Sequence, residues 1–438
     1  MNEPSPARPP LSAVRPSACP GLLRIVDALD GGICRVKLPG GCLTAAQAEA
    51  IADAAQAYAS GVIEATNRAN LQIRGVGAER HALIDALLDA ELGPREAAGD
   101  DVRNLMLSPT AGLDRSMLID TRPLAQAILH SLQTETRWHA LSAKFAVQLD
   151  GGEALAMLEH HHDLWLSALM IEDEPWLAFG LAGAPGRDRA AGAVPLADGH
   201  ALVLAVLERF LVLATPEQTR MREVLACHPD FIDGLALPIR AVDYRRPPAV
   251  DSPQGVFAQR QAGRYCLATL APLGRLDSAA LRTLAGLSRT FADGCLRFTP
   301  WQGIVLANVA QVNVEPLQQR LQQVGLLVSE REPLSAMIAC TGASGCAKGH
   351  ADTKGDARRL SLLLHPPRAA GSVHLSGCRR SCACAHTAPV TLLATAGGHY
   401  DVYFGDASAP GFGVLQARDL SLDAAAAWLD GCSRSDTE

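Results

Sequence analysis

Four of the twelve cysteines fall into two pairs, and the pairs are spaced for metal or cluster ligation. Cys340 and Cys346 form C-x5-C, Cys378 and Cys382 form C-x3-C, and the stretch from Ala347 to Gly377 separates the pairs. Two such pairs can ligate zinc or a [4Fe–4S] cluster. Structural zinc sites use tighter spacing in both pairs, so C-x5-C favours iron–sulfur. Gly342, Gly345 and Gly377 let the backbone curl against a cube and aim N–H groups at its sulfurs. Arg379 and Arg380 lie between ligands, where positive charge stabilises an anionic cluster. Cys384 is a spare thiol, and the other seven cysteines are scattered as small core residues would be.

A second group carries charge. From Glu64 to Arg74, apolar Ala65, Ala69, Leu71 and Ile73 alternate with a polar set. That set includes Arg68, Asn70, Gln72 and Arg74, and the alternation predicts a strand. Arginine forks suit carboxylates, so this face reads as a surface for a polycarboxylate ligand. Arg103, ahead of a Ser-Pro-Thr-Ala-Gly turn, and Lys144 extend the basic set. A mononuclear non-haem iron is a further candidate cofactor, and such an ion takes two histidines and a carboxylate. His160-His161-His162-Asp163 is a poor source, because consecutive helical residues point ~100° apart. Those histidines read as surface or core residues. His350, His365, His374 and His386 lie near the cysteines in sequence and are no better supported.

The elements that position these residues come in two copies. Gly41 and Gly274, Gly61 and Gly294, and Thr66 and Thr299 are all related by one constant offset in the numbering. In each copy a capping residue, Thr44 or Asp277, precedes an Ala-rich helical stretch. An extended segment follows. The unit is strand, helix, strand, of ferredoxin-like type. Ser108 and Thr341 continue the register, and FAVQLDGG echoes SVHLSGC. The fold class is therefore α+β and internally duplicated. It comprises two ferredoxin-like modules and two larger α+β modules with pseudo-twofold symmetry. The expected partition is a flexible arm 1–20, half-repeat 21–76, module 77–243, linker 244–255, half-repeat 256–309 and cysteine-bearing module 310–438.

At 438 residues, 48% hydrophobic and 19% charged, the chain has ample core material. A net charge of −7 argues against nucleic-acid binding, which needs a basic excess. The longest apolar stretch, Ala201 to Ala214, is broken by Glu208 and Arg209, so no membrane span is expected. The N-terminus has no apolar signal core, and a cytoplasmic location is expected. No G-x-G-x-x-G fingerprint is present, which argues against direct nicotinamide binding.

Taken in order, TNRANLQIRG (66–75), VRNLMLSPTAG (102–112), LSAKF (141–145) and the four cysteines resemble the siroheme-dependent sulfite and nitrite reductases. SACPGL (17–22), GGICRVKLPGG (31–41) and KFAVQLDGG (144–152) are similar to the precorrin-3B synthase branch of aerobic cobalamin biosynthesis. The resemblance implies modules that clasp a tetrapyrrole beside a [4Fe–4S] cluster held by Cys340, Cys346, Cys378 and Cys382. It implies that Arg68, Arg74, Arg103 and Lys144 hold the macrocycle's acid groups. For the synthase branch it implies precorrin-3A and O2 as substrates and an electron donor fed by reduced nicotinamide. For the reductases it implies siroheme. Two positions depart from the pattern. Ala146 stands where the reductases carry a second lysine, and Gln302 stands where the synthases are expected to carry arginine. A non-catalytic iron–sulfur carrier is the alternative of another class, but a carrier needs no macrocycle clasp.

Overall fold

The structure is a computed structural model that describes residues 19–248, 250, 252–364, 372–406 and 411–435. Apart from Cys19 and Pro20, the expected arm lies outside these residues. So do His365 and linker residues 249 and 251.

One pattern runs twice along the chain. The first ferredoxin-like half has strands β1 (Val26–Ala28), β2 (Gly31–Val36) and β3 (Cys42–Thr44), helix α1 (Ala45–Tyr58), strands β4 (Val62–Ala65) and β5 (Leu71–Val76), and helix α2 (Arg80–Asp89). The first larger module follows with β6 (Leu105–Leu107), α3 (Arg122–Thr134), β7 (Val147–Asp150), β8 (His162–Ile171), β9 (Glu174–Gly183), β10 (Gly192–Pro195), α4 (Gly199–Leu213) and α5 (Met221–Leu225). The second half repeats the first as β11 (Gly255–Ala258), β12 (Arg264–Leu270), β13 (Arg275–Asp277), α6 (Ser278–Phe291), β14 (Cys295–Phe298), β15 (Gly303–Ala310) and α7 (Val314–Gln323). The last module has β16 (Met337–Ala339), α8 (Thr353–Leu363), β17 (Val373–Ser376), β18 (Val390–Ala396), β19 (His399–Phe404), β20 (Val414–Ser421) and α9 (Leu422–Ser435).

The capping residues work as their types dictate. Thr44 accepts from the Gln47 backbone at 3.2 Å while the Gln47 side chain accepts from Thr44 N at 3.1 Å, a capping box at the start of α1. Asp277 accepts from Ala280 N at 2.7 Å at the start of α6. Helices α1 and α6 pack on each other, and one hydrophobic core runs through both halves.

The halves are not separate sheets. The strand orders are β1-β2-β5-β4-β13 and β11-β12-β15-β14-β3. Each half thus lends its short third strand to the edge of the other's sheet, with Arg275 opposite Glu64 and Cys42 opposite Arg297. In the larger modules β6, β7 and β8 run parallel, as do β16, β17 and β18, and two antiparallel strands complete each sheet. Val147 pairs with Leu164, and Val373 pairs with Val390, so these two ladders correspond. The offset that relates them is slightly shorter than the one that relates the ferredoxin-like halves.

One expectation is corrected. Residues 64–74 form a hairpin, β4 and β5, rather than one strand. Thr66 makes the turn: its hydroxyl accepts from Arg68 N and Asn70 N at 3.3 and 3.1 Å, and Ala69 has a φ of +55°. The other half turns in the same way at Thr299, with Gln302 at +61° in the place of Ala69. The first residues of the expected linker are anchored, since Tyr244 Oη lies 2.9 Å from Ser167 Oγ and Arg246 pairs with buried Asp150 at 3.1 Å. Among the described residues no helix is long and apolar enough to cross a membrane.

Candidate functional site

Both cysteine pairs leave the carboxyl ends of neighbouring parallel strands. Cys340 follows β16, Cys378 follows β17, and Ala339 is paired with Leu375. Ligands in open α/β sheets gather at such ends. A short 3-10 turn at Gly342–Ser344 folds the first pair back, with Gly342 at φ +69° and Cys346 N bonded to Gly342 O at 2.9 Å. The Gly377 amide donates to Cys340 Sγ at 3.3 Å. Burial first, and then the charges of Cys340, Cys378 and Cys346, push the Cys382 thiol up. Cys382 is exposed and the other three are half-buried.

Among the described residues no three His, Cys, Asp or Glu side chains converge to hold a single ion. An iron–sulfur cube takes one thiolate per iron at four separate corners. The thiolate set, the amide aimed at sulfur and the glycine-lined turn fit a [4Fe–4S] cluster. A non-haem iron finds no such ligand set among the described residues. His162 opens strand β8 rather than lying on a helix, and His160, His162 and Asp163 are buried.

The first hairpin grips the cysteine loops. Asn67 Nδ2 donates to Cys382 O at 3.3 Å, and Arg74 Nη2 donates to Gly345 O at 3.3 Å. Arg74 also forks onto Asp30 with two bonds of 2.8 Å. Glu64 is the hub behind it. Its carboxylate takes Arg275 at 2.7 Å, Thr341 Oγ1 at 3.3 Å, Lys354 at 3.5 Å and Arg74 at 3.6 Å. Burial opposes its ionisation, but Lys354, Arg74 and Arg275 outweigh burial and hold its carboxyl below the usual range.

Beside this junction lies a cavity lined by Arg68, Asn70, Arg103, Met106, Ala146 and His162. Arg68 has no hydrogen bond or ion pair from its guanidinium among the described residues. Burial, then Arg220 and Arg35, push its pKa down to about 10. The other two guanidiniums are held. Arg220 pairs with Asp163 at 3.0 Å, and Gln72, opposite Arg35 across the ladder, accepts from it at 2.7 and 3.2 Å. Asp163 also accepts from Ala146 N at 3.0 Å, which fixes the cavity wall. Burial, and then Arg68, push His162 down to about 3, so it is neutral. The result is a cationic recess with one unpartnered guanidinium.

The sequence-derived residues divide accordingly. Arg68 faces the cavity freely. Asn70 lines it but accepts from Leu38 N at 2.8 Å, and Gln72 is engaged with Arg35. Arg74 is bound into the cysteine loop. Arg103 donates to Gly93 O, Leu92 O and Asp100 at 3.2 to 3.3 Å, which leaves Nε buried without a partner. Lys144 is exposed and stands outside the lining, two residues from Ala146. Arg35, Arg220 and Asp163 were missed as a group. Arg35 carried a signal, since it alternates with buried Cys34 and Val36, but nothing around Arg220 marked it.

Comparison with known proteins gives the same picture. The model of the nitrite/sulfite reductase ferredoxin-like half domain matches residues 28–91 and 257–324. That of the nitrite and sulphite reductase 4Fe-4S domain matches residues 98–226. The second stretch contains no cysteine, and its duplicate carries the four grouped ones. A precorrin-3B synthase from Sinorhizobium sp is 27% identical over 397 residues, covering 89% of this chain and 83% of that protein. A chloroplastic ferredoxin–nitrite reductase from Zea mays is 29% identical, covering 82% of this chain and 68% of the relative. The solved structure of the Mycobacterium tuberculosis NirA protein shares the fold, with a TM-score of 0.74 and 20% identity over 92% of this chain and 80% of that one. With its paired half domains, its duplicated larger modules and this span of shared sequence, the chain belongs to the nitrite and sulfite reductase superfamily, a precorrin-3B synthase among its relatives.

Proposed function

We propose that the protein is a precorrin-3B synthase. It hydroxylates precorrin-3A at the C20 meso carbon with O2 and closes the ring A acetate into a γ-lactone. One oxygen atom enters the product and the other leaves as water. Reduced nicotinamide supplies two electrons through a separate donor, and the macrocycle supplies the other two.

The observation that carries this reading is Arg68, a half-buried cation with no ion pair among the described residues, in a recess beside the loop of Cys382. A reduced macrocycle fringed by acetates and propionates supplies the missing negative charge. Arg68 binds one acid group, and Arg220 and Arg35 add positive potential around it. Asp163 holds Arg220 and the Ala146 backbone in place. Neutral His162 leaves the wall uncharged where the ring lies. Cys340, Cys346, Cys378 and Cys382 hold the cluster, which supplies single electrons when bound.

A second reading, a siroheme-dependent nitrite or sulfite reductase, is favoured by the similar identity of the ferredoxin–nitrite reductases. Ala146 argues against it, because one basic contact to siroheme is absent. Incubation with precorrin-3A, O2 and a reducing system, followed by mass analysis, separates the two. The synthase reading expects a product heavier by one oxygen. A siroheme chromophore that survives gel filtration, with nitrite or sulfite turnover and no change in precorrin-3A, contradicts it.

A further inference from the structure

The pseudo-twofold builds a second cavity, and its chemistry differs from that of the first. At its hairpin tip Trp301 is the counterpart of Arg68, and Gln302 and Gly274 are related to Ala69 and Gly41 by the same offset. With Leu270, Met337, His160 and His386 these residues line a recess that opens to solvent. The two histidines are counterparts as well, under the offset that relates the two larger modules. Their rings face each other at 5.0 Å between centroids and 34° between planes, so they meet where the modules meet.

The polar character of this recess is specific. Among the described residues that line it, none is Asp, Glu, Lys or Arg. Nδ1 of His160 and Nδ1 of His386 are both buried without a hydrogen-bond partner. His386 Nε2 lies 3.4 Å from Glu159. Buried polar atoms are normally paired, and two orphans on side chains that line one apolar recess mark where ligand atoms fit. A polycarboxylate tetrapyrrole does not suit this recess, because its charges would be desolvated without cations. An indole at the tip offers a stacking face in place of a guanidinium.

We propose that this second cavity binds an uncharged, flat heteroaromatic ring. The ring stacks on Trp301, and its edge bonds to the free nitrogens of His160 and His386 and to the Gln302 amide. The inference is independent of the reaction proposed for the first cavity.

Lumiflavin is a suitable probe, and quenching of its fluorescence by the intact protein reads binding. Saturable binding is expected. Trp301→Arg and His386→Phe should each weaken it about tenfold or more, the scale of one hydrogen bond in a dry site. Arg68→Ala should leave it unchanged. Uroporphyrin, a polycarboxylate tetrapyrrole, should show the opposite pattern, and its retention certifies that a variant has folded. In the wild-type protein the two probes should bind together without competition, a result that needs no variant. Absence of saturable lumiflavin binding, equal affinity in both cavity variants, or competition with uroporphyrin overturns the proposal.

Discussion

Arg68 and Arg74 sit on one hairpin and do different work. The Arg74 side chain is 4% exposed and bound to Asp30, Glu64 and the Gly345 carbonyl, whereas Arg68 has no protein partner among the described residues. Arg68→Ala should therefore leave stability nearly unchanged. It should weaken precorrin-3A binding about tenfold to a hundredfold, the worth of one charge-assisted bond. Because its pKa is about 10 in the free protein, that affinity should stay flat from neutral pH upward and fall as pH passes about 10, where the cation is lost. Direct titration across pH checks both. Glu64→Gln should behave in the opposite way. It strands Lys354, Arg74 and Arg275 around a neutral group, at a cost of about 3–5 kcal/mol in urea unfolding. The Glu64 carboxyl lies below its unfolded value, so its contribution is present above that value and lost as pH falls through the folded one. Cys378→Ser should remove the reduced-cluster EPR signal and all turnover. For Arg103 the structure alters the expectation: Arg103→Ala leaves Asp100 and two carbonyls short of a donor and should lower stability as well as ligand affinity. Residue types and spacing marked the cysteines and Arg68. They could not show that Asn70, Gln72 and Arg74 are engaged, because those partners, Leu38, Arg35 and Asp30, come from elsewhere in the chain.

Among the elements, the hairpin and the exchanged strands matter most. The alternation from Glu64 to Arg74 was real, but it continues through a Thr-Asn turn that reverses the chain and puts Arg68 at the tip. A threonine hydroxyl that competes for backbone N–H groups was the available signal. The repeat itself was legible in three residue pairs. The exchange of β3 and β13 was not, because so short a strand carries too little pattern to name its partner. Gly41 guards that exchange. It has a φ of +72°, and an added Cβ would lie 2.5 Å from the Phe298 carbonyl oxygen. Gly41→Ala should cost about 2–3 kcal/mol, since it combines a left-handed backbone with a clash against a neighbouring strand. Thermal or urea unfolding of the variant measures this.

On the scale of the whole molecule, duplication has been followed by division of labour. Ser108 follows β6 where Cys340 follows β16, Gly152 stands where Cys378 follows β17, and residues 98–226 hold no cysteine, so the grouped thiols belong to the second module alone. The basic hairpin that grips the cluster loops belongs to the first half. Each half therefore supplies what the other lacks. Strand exchange and a shared core tie the halves together, and a protease cut between Pro247 and Ser252 should leave two fragments that co-elute on gel filtration. Asn67, next to Arg68 of the recess, bonds to the Cys382 carbonyl, and the proposed reaction depends on that closeness. Incubation of the anaerobically purified protein with precorrin-3A, a reducing system and 18O2 tests it most directly. The account predicts one 18O atom in the tetrapyrrole product and none when Cys378 is replaced by Ser. Unlabelled product, or equal labelling by the Cys378→Ser protein, would contradict it.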